Sequence, residues 1–180
     1  MSIEQDLGEG RRSHTVKIID FDNIDNNEFL VTNQFKVAGI NENIIPDIIL
    51  FVNGLPLAVI ECKSPYITNP MEAGIKQLLR YCNNRNPEEN EGAERLFHYN
   101  QVLVSTHFKE ARLATISANY EHYLEWKDVY PNNIENFSDK SSQEVMIEGV
   151  FNQTNFLDIV RNFIVFDLDE GKTIKKVTRY

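Results

Sequence analysis

From Thr15 onward apolar and polar positions alternate. Val16, Ile18 and Phe21 are interleaved with Lys17 and Asp20, a two-residue period that predicts a β-strand. Residues 1–13, ahead of it, are polar and glycine-containing, end in Arg11-Arg12-Ser13, and are expected to form a loose start. Asp22 to Asn27 is dense in Asp and Asn, whose side chains build turns with the neighbouring backbone. A second strand is predicted over Glu28 to Val37, with Leu30, Thr32 and Gln34 on one face and Phe29, Val31, Asn33 and Phe35 on the other. The clearest local signal follows. Asp47 to Val52 and Leu55 to Cys62 are β-branched, apolar runs around Asn53-Gly54, the pair that most strongly marks a hairpin. Both runs are apolar on both faces, so this hairpin belongs inside a sheet. Pro65 and Pro70 then punctuate a loop.

Beyond the loop the period changes. Ile75, Leu78, Leu79 and Cys82 follow the i, i+3, i+4, i+7 spacing of an amphipathic helix over Met71 to Cys82. Asn83 to Gly92 is polar, contains Pro87, and reads as a loop; Gln101 to Ser105 is a buried strand. Arg112 to Ser117 fits a short strand, with helix left open, and the aromatic-rich Tyr120 to Tyr130 reads as a covering segment. Asn132 to Ser142 reads as a linker. Ser141 with Glu144 three residues on is a capping box, opening a helix through Phe151. A further helix is predicted over Phe156 to Phe166, and a basic strand over Thr173 to Thr178 in the tail from Lys172 to Tyr180. The order points to an α/β fold: a mixed central β-sheet flanked by helices. The expected organisation is a loose segment over 1–13, an α/β domain over 14–131, and a helical segment and linker over 132–180.

Composition narrows the function classes. At 180 residues, with 42% hydrophobic and 25% charged residues, the chain has the material for one packed domain. Its net charge of −9 argues against a free-standing, nonspecific nucleic-acid binder, which gains affinity by neutralising phosphates with Lys and Arg. Two cysteines, Cys62 and Cys82, are too few for a disulfide scaffold. No apolar run approaches the ~18 residues of a membrane span, and the acidic opening Met1 to Asp6 is unlike a signal peptide. A reducing, cytoplasmic setting with no membrane partner is therefore expected.

Asp47, Glu61 and Lys63 are the candidate chemistry. Glu61 and Lys63 lie two apart on one strand and share a face, while Cys62 points the other way. A carboxylate and an ammonium on a largely apolar strand are costly unless something pairs or uses them. Asp47 joins them only by parity. A strict two-residue Asn53-Gly54 loop sets it on the face of Ile60, whereas a three-residue loop or a bulge elsewhere brings it to the face of Glu61. Two carboxylates on one face suit a hard cation such as Mg²⁺, which polarises a phosphoryl oxygen and acidifies a bound water. Lys63 would then orient that water and stabilise developing charge. The bland alternative is a buried Glu61–Lys63 ion pair with Asp47 ending a loop after Pro46. Among the other candidates, His14, His98, His107 and His122 show no metal-ligand spacing, and no Gly-x-Ser-x-Gly or Gly-x-Gly-x-x-Gly loop occurs. Lys172, Lys175, Lys176 and Arg179 read as a solvated strand face before they read as a DNA contact.

Pro46-Asp47 followed by Glu61-Cys62-Lys63 resembles the PD-(D/E)xK nuclease signature. The longer stretch from Pro46 to Leu57, running into Val59-Ile60-Glu61, is similar to the amino-terminal nuclease region of the R subunit of type I restriction enzymes. Ile19 to Asn23, Asn27 to Val31, Asn33-Gln34-Phe35 and Ile147 to Phe151 agree, so the resemblance runs from about Lys17 to Tyr180. It implies a restriction-endonuclease-like core and a type I site-specific deoxyribonuclease module of an ATP-driven DNA translocase. The implied metal is Mg²⁺ or Mn²⁺, held by Asp47, Glu61 and the backbone carbonyl of Cys62. The family's Q-x-x-x-Y motif is matched by Gln77 and Tyr81, placing both near the site or the DNA. Implied partners are double-stranded DNA and the modification and specificity subunits, with ATP bound only in motor domains outside these residues. Relative to the family pattern, the usual additional segment before Arg11-Arg12, with a helix carrying an acidic residue near the metal, is expected to be missing because the chain starts too late for it, no Gly-x-x-x-x-Gly-Lys-Ser/Thr loop is present, and Cys62 stands where an aliphatic residue is usual. The competing expectation is a docking module that contacts DNA or partner subunits without doing chemistry.

Overall fold

A computed structural model describes residues 2–6, 8, 10–39, 41–83 and 92–178. The polar start pairs with itself. Strands β1 (Ser2–Asp6) and β2 (Arg11–Thr15) form an antiparallel hairpin, which corrects the loose start expected over 1–13. The strand expected from Thr15 to Phe21 is also corrected: pairing stops at Thr15 and the chain runs irregularly to a short 3₁₀ turn at Ile24–Asn26. Asp20 is the physical reason. Its carboxylate accepts the backbone N–H groups of Asp22 and Asn23, and its own N–H goes to Asn27 Oδ1, so the groups a ladder needs are used locally.

The central sheet has five strands in the order β3-β6-β7-β8-β9: β3 (Phe29–Asn33), β6 (Ile48–Val52), β7 (Leu55–Lys63), β8 (Val102–His107) and β9 (Glu110–Ala114). Between β3 and β6 lies a minimal pairing of β4 (Val37–Ala38) with β5 (Asn43–Ile44). Pairing is antiparallel throughout except between β7 and β8, so the sheet is mixed as expected. Asn53 and Gly54 both take positive φ, 49° and 80°, the geometry of a tight two-residue turn between right-twisted strands. The Asn53 side chain fastens this tip to the incoming chain through Glu28 N, Ile18 O and Asn27 Oδ1.

Helix α1 (Pro70–Tyr81) makes the crossover from β7 toward β8, opening on Pro70 at its first turn and burying Met71, Gly74, Ile75, Leu78 and Tyr81. A four-residue helix α2 (Glu94–Phe97), which the pattern did not reveal, adds Leu96 and Phe97 to the same side. Residues 84–91, most of the predicted loop, lie outside the described residues. On the sheet's other face lie α3 (Ser142–Phe151), with both capping-box bonds between Ser141 and Glu144 present, and α4 (Gln153–Asp158). The last predicted helix ends early. α4 continues as a π-helical turn over Ile159–Phe163, and Ile164 already begins β10 (Ile164–Asp169), which pairs with β11 (Lys172–Val177).

The sheet is thus covered on both sides, which is why its central strands are apolar in both parities. Ile49, Val59 and Leu103 face α1, with Ile75 and Leu78 above them. Ala58, Val102 and Val104 face α3 and α4, with Met146, Val150 and Phe156. The aromatic segment before α3 buries Tyr123 in the core under α1 and Trp126 in the core under α3 and α4.

Candidate active site

The turn alone would leave Asp47 on the wrong face. Val52 pairs with Leu55 and Phe51 with Pro56, the register of a two-residue loop, but Leu50 then pairs with Ala58. Leu57 is the extra residue of a β-bulge, and it shifts everything beyond it by one. Ile48 consequently sits across from Ile60, and Asp47, next along, falls across from Glu61 on the face that α1 covers.

Glu61 and Lys63 meet directly on this face. Lys63 Nζ donates to Glu61 Oε1 at 2.8 Å and to Gln77 Oε1 at 2.6 Å. Gln77 Nε2 donates to the Tyr81 hydroxyl at 2.7 Å, so the helical i, i+4 pair extends a polar chain that starts at Glu61. Since an ammonium only donates, the Gln77 amide must turn its oxygen to Lys63 and its nitrogen to Tyr81. The Tyr81 ring is 5% exposed and belongs to the core, so only its hydroxyl joins the site; the ring is closed to a DNA backbone.

Asp47 is half-buried, and both its oxygens accept hydrogen bonds: Oδ2 from the Cys62 backbone N–H at 2.8 Å, Oδ1 from Gln34 Nε2 at 2.6 Å. Cys62 therefore meets Asp47 through its N–H. Its side chain, exposed, lies on the opposite face beside Ile60 and Met146, where partial desolvation first, then Asp47 and Glu61, push the thiol up. Glu61 is 2% exposed, more closed than an open cleft would leave it. Burial pushes its carboxyl up to about 7; Lys63 pulls the other way and the neighbouring Asp47 adds to the rise. Its second oxygen, Oε2, is buried without a hydrogen-bond partner.

Helix α1 comes this close because position 74 is glycine. A Cβ there would stand 2.2 Å from the Ser105 Oγ. Ser105 pairs with Glu61 across β7 and β8, and its hydroxyl donates to Met71 O at 3.1 Å, tying the first turn of α1 to the sheet. Sequence reasoning missed both Ser105 and Gln34. Only strand pairing brings Ser105 to the site, and alternation groups Gln34 with Leu30 and Thr32.

Comparison with known proteins decides the lineage. Residues 1–122 match the family described as Type I restriction enzyme R protein N terminus. The chain belongs to this family. It is 37% identical over 169 residues to the type I restriction enzyme HindI endonuclease subunit of Haemophilus influenzae, covering 92% of this chain and 15% of that one. It is 33% identical over 173 residues to the putative type I restriction enzyme MjaVIIIP endonuclease subunit of Methanocaldococcus jannaschii, covering 95% of this chain and 15% of the other. The putative MjaIXP endonuclease subunit of the same archaeon is 27% identical over 175 residues, 87% of this chain and 16% of its own. The chain thus spans about 15% of the length of these relatives. As an R-subunit amino-terminal module it carries Gln34, Asp47, Glu61, Lys63, Gln77 and Tyr81 all inside the family match. Its mixed five-stranded sheet with flanking helices is consistent with a restriction-endonuclease-like fold. Among the described residues no helix is long and apolar enough to cross a membrane.

Proposed function

We propose that this chain is the Mg²⁺-dependent endonuclease module of a type I restriction enzyme R subunit, hydrolysing phosphodiesters of double-stranded DNA. The observation that carries the reading is Glu61 Oε2, a buried carboxylate oxygen without a partner, on the face that Asp47 shares. Like charges so placed are unfavourable unless a proton or a cation stands between them. Among the described residues no group of three or more His, Cys, Asp or Glu gathers, so the donor set is two carboxylates. That set fits Mg²⁺, which is held by one or two carboxylates and keeps several waters. Asp47 and Glu61 would hold the ion, with the Cys62 carbonyl as a further oxygen donor; Mn²⁺ suits the same ligands. When bound, the ion polarises a phosphoryl oxygen and acidifies a water.

The chain's own residues supply the rest. Lys63, held between Glu61 and Gln77, presents a fixed positive charge beside the carboxylates, suited to stabilising charge that develops on the phosphate. Gln77, braced by Tyr81, orients that ammonium. α1 closes over Glu61 and keeps bulk water from it. The relatives are named as subunits, so the module is proposed to work inside a multi-subunit complex; the family resemblance extends this proposal to modification and specificity subunits, a cytoplasmic setting, and ATP used in motor domains elsewhere. The docking alternative is favoured by one feature, the Glu61–Lys63 ion pair that holds this face together without metal. Calorimetry separates the two. Wild type should give a Mg²⁺ or Mn²⁺ binding signal that Asp47→Ala abolishes; no signal in wild type would favour docking.

A further inference from the structure

Gln34 stands one residue past β3. The β3–β6 register, which ends with Asn33 across from Ile48, brings it beside Asp47. Two hydrogen bonds close that contact: Gln34 N donates to Asp47 O at 3.0 Å, and Gln34 Nε2 donates to Asp47 Oδ1 at 2.6 Å. With Cys62 N on Oδ2, the carboxylate is gripped from both neighbouring strands. The Gln34 backbone is left-handed, with φ +50°, a region that glycine adopts freely and asparagine tolerates better than a residue with a longer side chain. Glycine has no side-chain amide, and that of asparagine is one methylene short of this reach. A glutamine in such a backbone is explained by what its side chain holds. The next residue anchors the bend, Phe35 packing edge-on against Phe51 with ring centroids 5.7 Å apart.

We propose that Gln34 is a positioning residue for the site: it fixes the Asp47 carboxylate and leaves that carboxylate's remaining lone pairs for a divalent cation shared with Glu61. The assignment rests on the nuclease reading above. Outer partners of this kind typically change metal affinity by about 10–100-fold. The test uses Gln34→Asn and Gln34→Gly in the 180-residue chain. Both relax the backbone, so both should melt no lower than wild type without metal, while Mn²⁺ affinity by calorimetry falls by about 10–100-fold. A merely structural role for Gln34 would leave Mn²⁺ affinity within about twofold of wild type, and that result overturns the proposal. The contact has its own metal-free readout. In ¹⁵N-labelled chain the Gln34 side-chain amide resonances should move on Asp47→Ala, and their staying in place also overturns it. If wild type shows no Mn²⁺ signal that depends on Asp47, the nuclease reading falls and takes the metal role of Gln34 with it; an Asp47-dependent signal undiminished in both Gln34 variants sinks the Gln34 assignment alone.

Discussion

Glu61 answers to two opposed demands. Its burial favours the neutral acid, while Lys63 favours the carboxylate, and burial prevails, leaving the carboxyl at about 7. The folded value is above the ordinary one, so at pH 6 the carboxyl holds a proton that the proposed cation would have to displace. Lowering the pH through 7 should therefore weaken Mn²⁺ binding, by up to about tenfold per pH unit, and above 7 this group should have no further effect. Calorimetry at pH 6 in buffers of different ionisation enthalpy should register close to one proton released per ion, and at pH 8 almost none. On the proposed mechanism Lys63 would act later, in the transition state. In a complete subunit Lys63→Ala should lower DNA cleavage by roughly 10²–10³-fold, the usual loss for one charge-stabilising donor. ATP hydrolysis should be unchanged, because no phosphate-binding loop lies in these residues. Full cleavage by that variant, assayed beside its ATPase rate, would count against the assigned role.

At the scale of elements, the site depends on how closely α1 lies on the sheet. Gly74→Ala would drive a Cβ to 2.2 Å from Ser105 Oγ and 3.2 Å from its Cβ, so the helix or the strand must give. The expected cost is about 1–3 kcal/mol, that of an overpacked core, seen as a lowered thermal midpoint. Adding Ser105→Ala removes the nearer atom and should recover part of the loss. The β6–β7 turn is the other sensitive element. Gly54 takes φ +80° with open space around it, so Gly54→Ala should cost about 1 kcal/mol through backbone strain alone, without disturbing neighbours. The hairpin register, held by the bulge and the Asn53 contacts, should survive that change.

Across the whole molecule, electrostatics opposes the proposed substrate. A net charge of −9 repels a polyanion. Several cations are already committed: Lys76 to Glu72, Lys176 to Asp167, and Lys175, half-buried, to the Asn100 carbonyl. The 180-residue chain alone should therefore cleave DNA weakly or not at all even with metal, and what binding it shows should vanish with modest salt. A nicking assay on supercoiled DNA across a salt series checks this. Robust cutting by the isolated chain at physiological ionic strength would show that local geometry outweighs global charge.

The sequence alone determined what side-chain chemistry at short, fixed spacing can specify. Asn53-Gly54 required a tight hairpin, the Ile75/Leu78 spacing an amphipathic helix, Ser141 with Glu144 a helix start, and Glu61 with Lys63 a shared strand face. It also placed Gln77 and Tyr81 on one side of that helix, where Gln77 meets Lys63 and Tyr81 meets Gln77. What it left open were matters of parity and of partners distant in the chain. Whether Asp47 faces Glu61 turns on Leu57, a bulge with no local signature, because the strand's two faces are both apolar and either register satisfies the hydrophobic pattern. The left-handed backbone at Gln34, the closeness that Gly74 permits and the burial that raises Glu61 arise only when β3, β6, β7, β8 and α1 pack together. Local pattern chose the elements and the candidate residues; long-range packing decided which carboxylates meet and how strongly each holds its proton.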